Sequence, residues 1–261
     1  MDSNLLSLVD THAHLCAPEF GHDLDAVLSR ARAAGVAAVV AVGETLADAE
    51  RNIELSRRDG LIFPAAGLYP TLLEPDQAEA LNRFIREHRP ELVAIGEVGL
   101  DYWMVKEEKD RELQREIFKR FIGLAAEVDL PLNVHSRSAG RQAIDLLLGS
   151  GAARVQLHAF DGRASTALPA VEAGYFFSIP PSVVRSRQKQ KLVKRLPLAC
   201  LLVETDSPVL GPEPGSRNEP ANLPLALRAV AEIKALPEEA VAEAVTANAA
   251  RLYGRLRGSE G

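Results

Sequence analysis

Cysteine is nearly absent from this sequence. Cys16 and Cys200 stand far apart, with no CxxC pair and no evenly spaced set. That excludes a disulfide framework and fits a reducing compartment. Each thiol reads as small buried filler rather than a nucleophile. An excess of positive charge is missing too: 30 Lys and Arg face 36 Asp and Glu, for a net charge of −6. A protein that coats duplex nucleic acid carries the opposite sign. Any action on nucleic acid must therefore rest on a local site, with metal cations supplying positive charge. The N-terminus, MDSNLLSLVD, lacks the basic start and long apolar stretch of a signal peptide. The longest apolar run, residues 35–43, is far too short to span a membrane. No low-complexity tract occurs, and no GxGxxG follows a predicted strand. These absences point to a soluble intracellular protein of the cytoplasm or nucleus, with no membrane partner.

What is present is a rhythm. Apolar residues make up 47% of 261 and charged residues 25%, enough for one sizeable core and short for two full domains. Short apolar runs cover residues 6–9, 36–42, 62–68, 92–98, 131–134, 155–157, 175–179 and 198–203. Most lack polar alternation, as strands buried on both faces do. Amphipathic helical patterns fill 23–34, 46–58, 76–88, 106–128, 139–148, 165–173, 186–196, 223–235 and 238–253. Alternation of this kind predicts βαβ units, and eight of them predict an α/β fold of the (β/α)8, TIM-barrel type. An open doubly wound sheet is the alternative. Residues 207–220, rich in Pro and Gly, read as a surface loop. Residues 258–261 are expected to fray.

Histidine is scarce and oddly placed. Four of the six fall just after predicted strands: His12 and His14 after the first, His135 after the fifth, His158 after the sixth. Glu97 and Asp206 fall at the ends of the fourth and eighth. In a barrel those ends share one rim, where active sites are built. His12 and His14 are two residues apart in an extended segment, so both imidazoles face one way. Alone, such a pair is often only a histidine satisfied at a strand end. With four more ligand-type residues on the same rim it points to metal. Glu97 sits in an apolar strand without a nearby Lys or Arg, and a carboxylate there is costly to bury unpartnered. Its two oxygens can bridge two cations. Asp206 and Glu204 face one side, so Asp206, further out, can bind metal while Glu204 orients a neighbour. Four imidazoles and two carboxylates suit two divalent ions that activate water. Zinc and manganese match imidazole best, with magnesium less favoured.

These residues resemble the TatD-type metal-dependent deoxyribonucleases of the amidohydrolase superfamily. The resemblance is carried by VDTHAHL (9–15), IGEVGLDY (95–102), PLNVHSR (131–137), LHAFDG (157–162) and ETDSP (204–208). Residues 133–141, 174–182 and 188–197 look like the branch called TatD domain-containing protein 3. The resemblance implies one hydrolase domain over residues 1–261 and 3′ to 5′ exonuclease action on DNA, on single strands or 3′ ends. It also implies that His12 and His14 hold one metal with Asp206, that Glu97 bridges, and that His135 and His158 hold the second. Asp206 would assist the attacking water, with Glu97 contributing. The sequence departs from the family at Gly67-Leu68-Tyr69-Pro70, where the family has Gly-x-His-Pro and its histidine contacts the substrate phosphate. Tyr69 can donate a hydrogen bond there but carries no charge near neutrality.

Further substrate contacts are open. Arg137 can hold a phosphate bidentately or serve a rim ion pair. Residues 185–195 carry six basic side chains and no acid, read first as a solvated helix face and second as a phosphate track. Tyr102 and Trp103 can stack on a base or act as a lid. Two other functions compete. One is a metal-dependent amidase or esterase, although such barrels often bridge their metals with a strand-4 lysine and here that place holds Glu97. The other is a weakly active metal-binding scaffold, because of Tyr69.

Overall fold

The computed structural model of the chain describes residues 7–254 and 256. The expected first-strand start at Leu6, the reading of residues 1–6 and the expected fraying at 258–261 lie outside the described residues. Eight strands and nine α-helices follow one another among the described residues. They are β1 (Leu8–Ala13), α1 (Leu24–Ala33), β2 (Val36–Ala41), α2 (Leu46–Arg58), β3 (Ile62–Ala66), α3 (Pro75–Glu87), β4 (Ala94–Gly99) and α4 (Glu108–Val128). Then come β5 (Leu132–His135), α5 (Gly140–Gly149), β6 (Val155–Leu157), α6 (Ala164–Glu172), β7 (Phe176–Ile179), α7 (Arg187–Arg195), β8 (Leu201–Val203), α8 (Leu223–Lys234) and α9 (Glu238–Tyr253). The strands lie in sequence order, each parallel to the next. This is the expected (β/α)8 barrel.

The continuous apolar strands feed two cores. In β2, Val39 and Ala41 pack outward against helices, while Val40 and, just past the strand's end, Val42 pack in a second cluster with Ala65, Ala94, Phe176 and Leu202. Alternate residues of one strand thus serve the two faces. The second cluster is the barrel interior, and Ala249, Leu252 and Tyr253 of α9 plug it from below. Above the plug lies a buried polar layer. Tyr253 Oη donates to Gln156 Oε1 at 2.6 Å, and Asn133 Nδ2 donates to Tyr253 Oη at 3.0 Å. Only side chains with such mutual partners can occupy an interior of this kind without a large desolvation cost.

The strand boundaries differ from expectation where the chemistry sits. β1 continues through Ala13, so His12 lies inside it rather than after it, and Glu97 lies inside β4. His135 is the last residue of β5. The cause for β1 is the seam with β8. Asp10 accepts from the Thr205 N–H and hydroxyl at 2.8 and 2.6 Å. Asp206 N donates to His12 O, and His14 N to Ser207 O, at 2.9 and 2.8 Å. These bonds let a polar segment stay extended and draw the two ends of the sheet together. At β4 and β5 the strands come unusually close: a Cβ on Gly99, where φ is 144°, would stand 2.0 Å from His135 O. Only glycine fits there.

Candidate metal centre

All six predicted ligands meet at the C-terminal rim. His12 and His14 present Nε2 atoms 3.2 Å apart. Asp206 Oδ1 lies 3.4 Å from the first and 3.5 Å from the second. Glu97 Oε2 lies 3.4 Å from His14 Nε2 and 3.8 Å from His12 Nε2. On the other side, Glu97 Oε1 lies 2.6 Å from His135 Nδ1 and 2.8 Å from His158 Nε2, and those two nitrogens are 3.3 Å apart. One carboxylate therefore faces two imidazole pairs with different oxygens.

The donor set fits divalent cations. Glu97 Oε2 is buried and has no hydrogen-bond partner, a costly state unless a cation completes it. The protein orients two of the imidazoles, His12 and His135, by hydrogen bonds on the nitrogen facing away from the site. His12 Nδ1 bonds Asn133 Oδ1 at 2.8 Å, and since Asn133 Nδ2 donates to Thr11 O, the amide oxygen is the atom that faces the ring. His12 thereby keeps Nε2 free for a metal. His135 Nε2 bonds Asp101 Oδ2 at 3.0 Å, which frees Nδ1. Glu44 Oε1 stands 3.7 Å from His14 Nδ1.

The electrostatics ask for positive charge. Burial pushes the Glu97 carboxyl up, yet His158 and His135 outweigh it and hold the group well below the usual carboxylate range. Burial works against charge on His135 too, but Glu97 and Asp101 raise it to about 9. His14 rises to about 9 against burial through Asp206 and Glu97. Protons on these rings balance the carboxylates when no cation does. His12, fully buried and beside His158, is lowered to about 3 and stays neutral.

Glu204 stands behind His158, with Oε2 3.9 Å from its Nδ1. Its oxygens are used by Ala159 N–H at 2.8 Å and Ser178 Oγ at 2.6 Å. It is thus a support beneath the site. The rim encloses a cavity of about 650 Å³. Tyr69 lines it, its ring 5.2 Å from that of His135. Arg137 lines it as well, exposed, with its guanidinium 5.2 Å over the Trp103 ring. Tyr102, by contrast, is buried, bonded to Arg115 at 2.9 Å and covered by Arg111, so it offers no face to a base. Trp103 is 54% exposed. Cys16 lines the cavity half-buried, and burial with Asp48 nearby pushes its thiol up to about 12, which favours the neutral thiol at neutral pH.

Sequence reasoning missed three supports. In sequence Asp10 reads only as part of the histidine motif, yet it closes the barrel. Asp101 caps a turn, accepting from Met104 N at 2.7 Å, and also orients His135. Asn133 sits on β5, across the barrel interior from the β1 histidine it serves. The only signal for Asn133 was a polar residue in an apolar strand two places before a ligand, and for Asp101 an acid just past the end of β4.

Comparisons with known proteins agree with this fold. The family model described as TatD related DNase matches residues 9–254. The chain is 47% identical to human deoxyribonuclease TATDN3, covering 97% of this chain and 96% of that protein. It is 36% identical to the uncharacterized metal-dependent hydrolase YabD of Bacillus subtilis, covering 94% and 98%. The crystal structure of the TatD homolog YJJV from Escherichia coli superposes with a TM-score of 0.89 at 27% identity, over 96% of this chain and 99% of that one. With a family model matched from β1 to the end of α9, the chain belongs to the TatD-related DNase family of hydrolases.

Proposed function

We propose that this chain is a two-metal phosphodiesterase that removes nucleotides from DNA, acting 3′ to 5′ on single strands or 3′ ends. The observation that carries the reading is Glu97, whose two oxygens each face a separate histidine pair. His12, His14 and Asp206 would hold one ion, His135 and His158 the other, with Glu97 common to both. Bound there, two divalent cations, zinc, manganese or magnesium, supply charge to neutralise phosphate oxygens and to acidify water.

The chain's own residues do the rest. Asp206, 3.4 Å from His12 and open to the cavity, takes the proton of the attacking water. Glu97 holds the two histidine pairs in a fixed relation and steadies charge during attack. Tyr69 donates its hydroxyl toward the phosphate, and Arg137 offers a two-pronged contact to the same strand. The net negative charge suits an enzyme that grips a few nucleotides rather than a long duplex. We read residues 1–261 as one hydrolase domain working inside the cell, in cytoplasm or nucleus, where DNA is its partner. Among the described residues no helix is long and apolar enough to cross a membrane.

The test joins elemental analysis to digestion of end-labelled single-stranded DNA. We expect two metal equivalents per chain, and shortening from the 3′ end that chelation stops and metal restores. Asp206→Asn should abolish hydrolysis while circular dichroism stays unchanged. Metal-loaded protein that cleaves lactones or N-acyl amino acids and no phosphodiester would overturn the proposal.

A further inference from the structure

Helix α7 and the turn before it sort the six basic residues of 185–195. Arg185, Arg187, Lys191, Lys194 and Arg195 are exposed. Lys189 is only 8% exposed and lines the cavity of the metal centre. Its Nζ donates to Ala159 O at 2.8 Å, one residue past His158. An ammonium has three donors, and this bond uses one. Glu204, Asp206 and Asp161 act on it through space without a hydrogen bond. A buried cation in that state gains most from an anion that reaches it.

Two further groups line the same wall. Ser136 follows His135, and its buried Oγ has no hydrogen-bond partner. Arg137 comes next, its guanidinium resting over Trp103. The opposite wall, after β1 and β2, carries Glu19, Glu44 and Asp48. The wall with Lys189, Ser136 and Arg137 carries one acid, Asp161, against three opposite, so a polyanionic strand entering this cavity is drawn toward the Lys189 side.

We infer that Lys189, with Arg137 and Ser136, forms a phosphate subsite beside the metal centre that holds the backbone phosphate next to the one being cleaved. The inference rests on the phosphodiesterase reading. The competing role is structural: Lys189 steadies the Ala159 peptide, whose φ is 42° and whose N–H is held by Glu204. A structural role would disturb His158 and metal content. A phosphate contact would raise KM and leave metal alone.

The experiment uses metal-loaded full-length protein and the variants Lys189→Met and Lys189→Arg, with Lys191→Gln and Lys194→Gln as exposed controls. Substrates are 5′-phosphorylated dithymidylate, which has a flanking phosphate, and bis(p-nitrophenyl) phosphate, which has none. In Lys189→Met we expect KM for the dinucleotide to rise about tenfold, the loss of one charged hydrogen bond. We expect kcat to hold, metal content to stay at wild-type level, the single diester to be unaffected, Lys189→Arg to recover most of the loss, and both controls to match wild type. Calorimetric titration with thymidine 3′,5′-bisphosphate should show the same weakening. Unchanged KM and bisphosphate affinity would overturn the inference. So would a fall in metal content with equal loss of kcat on both substrates, or a loss seen for inorganic phosphate alone and not for the bisphosphate. If the wild type cleaves neither diester, the proposed function falls, and bisphosphate binding by wild type against Lys189→Met still decides the role of Lys189.

Discussion

The two histidine pairs are built by different means. His12 and His14 come from one strand, and the alternation of extended backbone alone aims them together. His135 and His158 come from neighbouring strands, and only the parallel pairing of β5 with β6, Val134 beside Leu157, sets them 3.3 Å apart. Their supports differ as well. His12 is oriented by a neutral amide, Asn133, and His135 by a carboxylate, Asp101. A charged partner raises the basicity of a metal-binding ring more than a neutral one does. The two proposed ion positions should therefore differ in affinity although Glu97 faces both histidine pairs.

The largest effect should come from removing what the two pairs share. Glu97→Gln should lower affinity for both ions by more than about hundredfold, beyond the loss expected from an orienting partner, and elemental analysis after dialysis should find neither. Retention of one full equivalent would mean that the pairs are independent. Next come the separate supports. Asp101→Asn should weaken one ion about 10- to 100-fold, and Asn133→Ala should weaken the other by an amount at the lower end of that range. Stepwise metal titration followed by calorimetry reads the two steps, and loss of the same step in both variants would break the assignment.

A smaller change is expected at the cavity wall. Tyr69→His should raise kcat/KM on single-stranded DNA about fivefold, because a charged donor binds phosphate more strongly than a neutral hydroxyl. No change would mean that this position does not limit the reaction. The smallest effect lies far from both pairs and serves as a control on them. Burial pushes the Asp59 carboxyl up, but the Arg32 guanidinium and the Leu61 N–H pull harder and leave it below its usual range. Such a carboxylate stabilises the fold above its unfolded pKa, and the gain disappears as pH falls through the lower folded value. Asp59→Asn should cost about 0.5–1 kcal/mol in denaturant unfolding at pH 7, and the difference should shrink as pH falls below the usual carboxylate range and through the lowered folded value, with metal content unchanged.

Much of the architecture was legible because its causes are local. Eight apolar runs separated by amphipathic stretches can hardly form anything but parallel strands covered by helices. The boundaries were less legible. The polar DTH segment looked like the end of β1 because its partners, Thr205 and Asp206, lie nearly 200 residues away. The same distance hid the role of Asp10. The six basic residues of 185–195 looked alike in sequence, and helix periodicity did not reveal which of them the cavity would enclose.

The sequence by itself determined which side chains were available and which strand ends would carry them, since scarce histidines at one kind of position mark a rim. Tertiary structure alone decided the pairing of Glu97 with both histidine sets, the closing of the β8–β1 seam and the burial of Lys189. These depend on strand register and ring closure, and register is a property of two strands together that neither strand's residues contain.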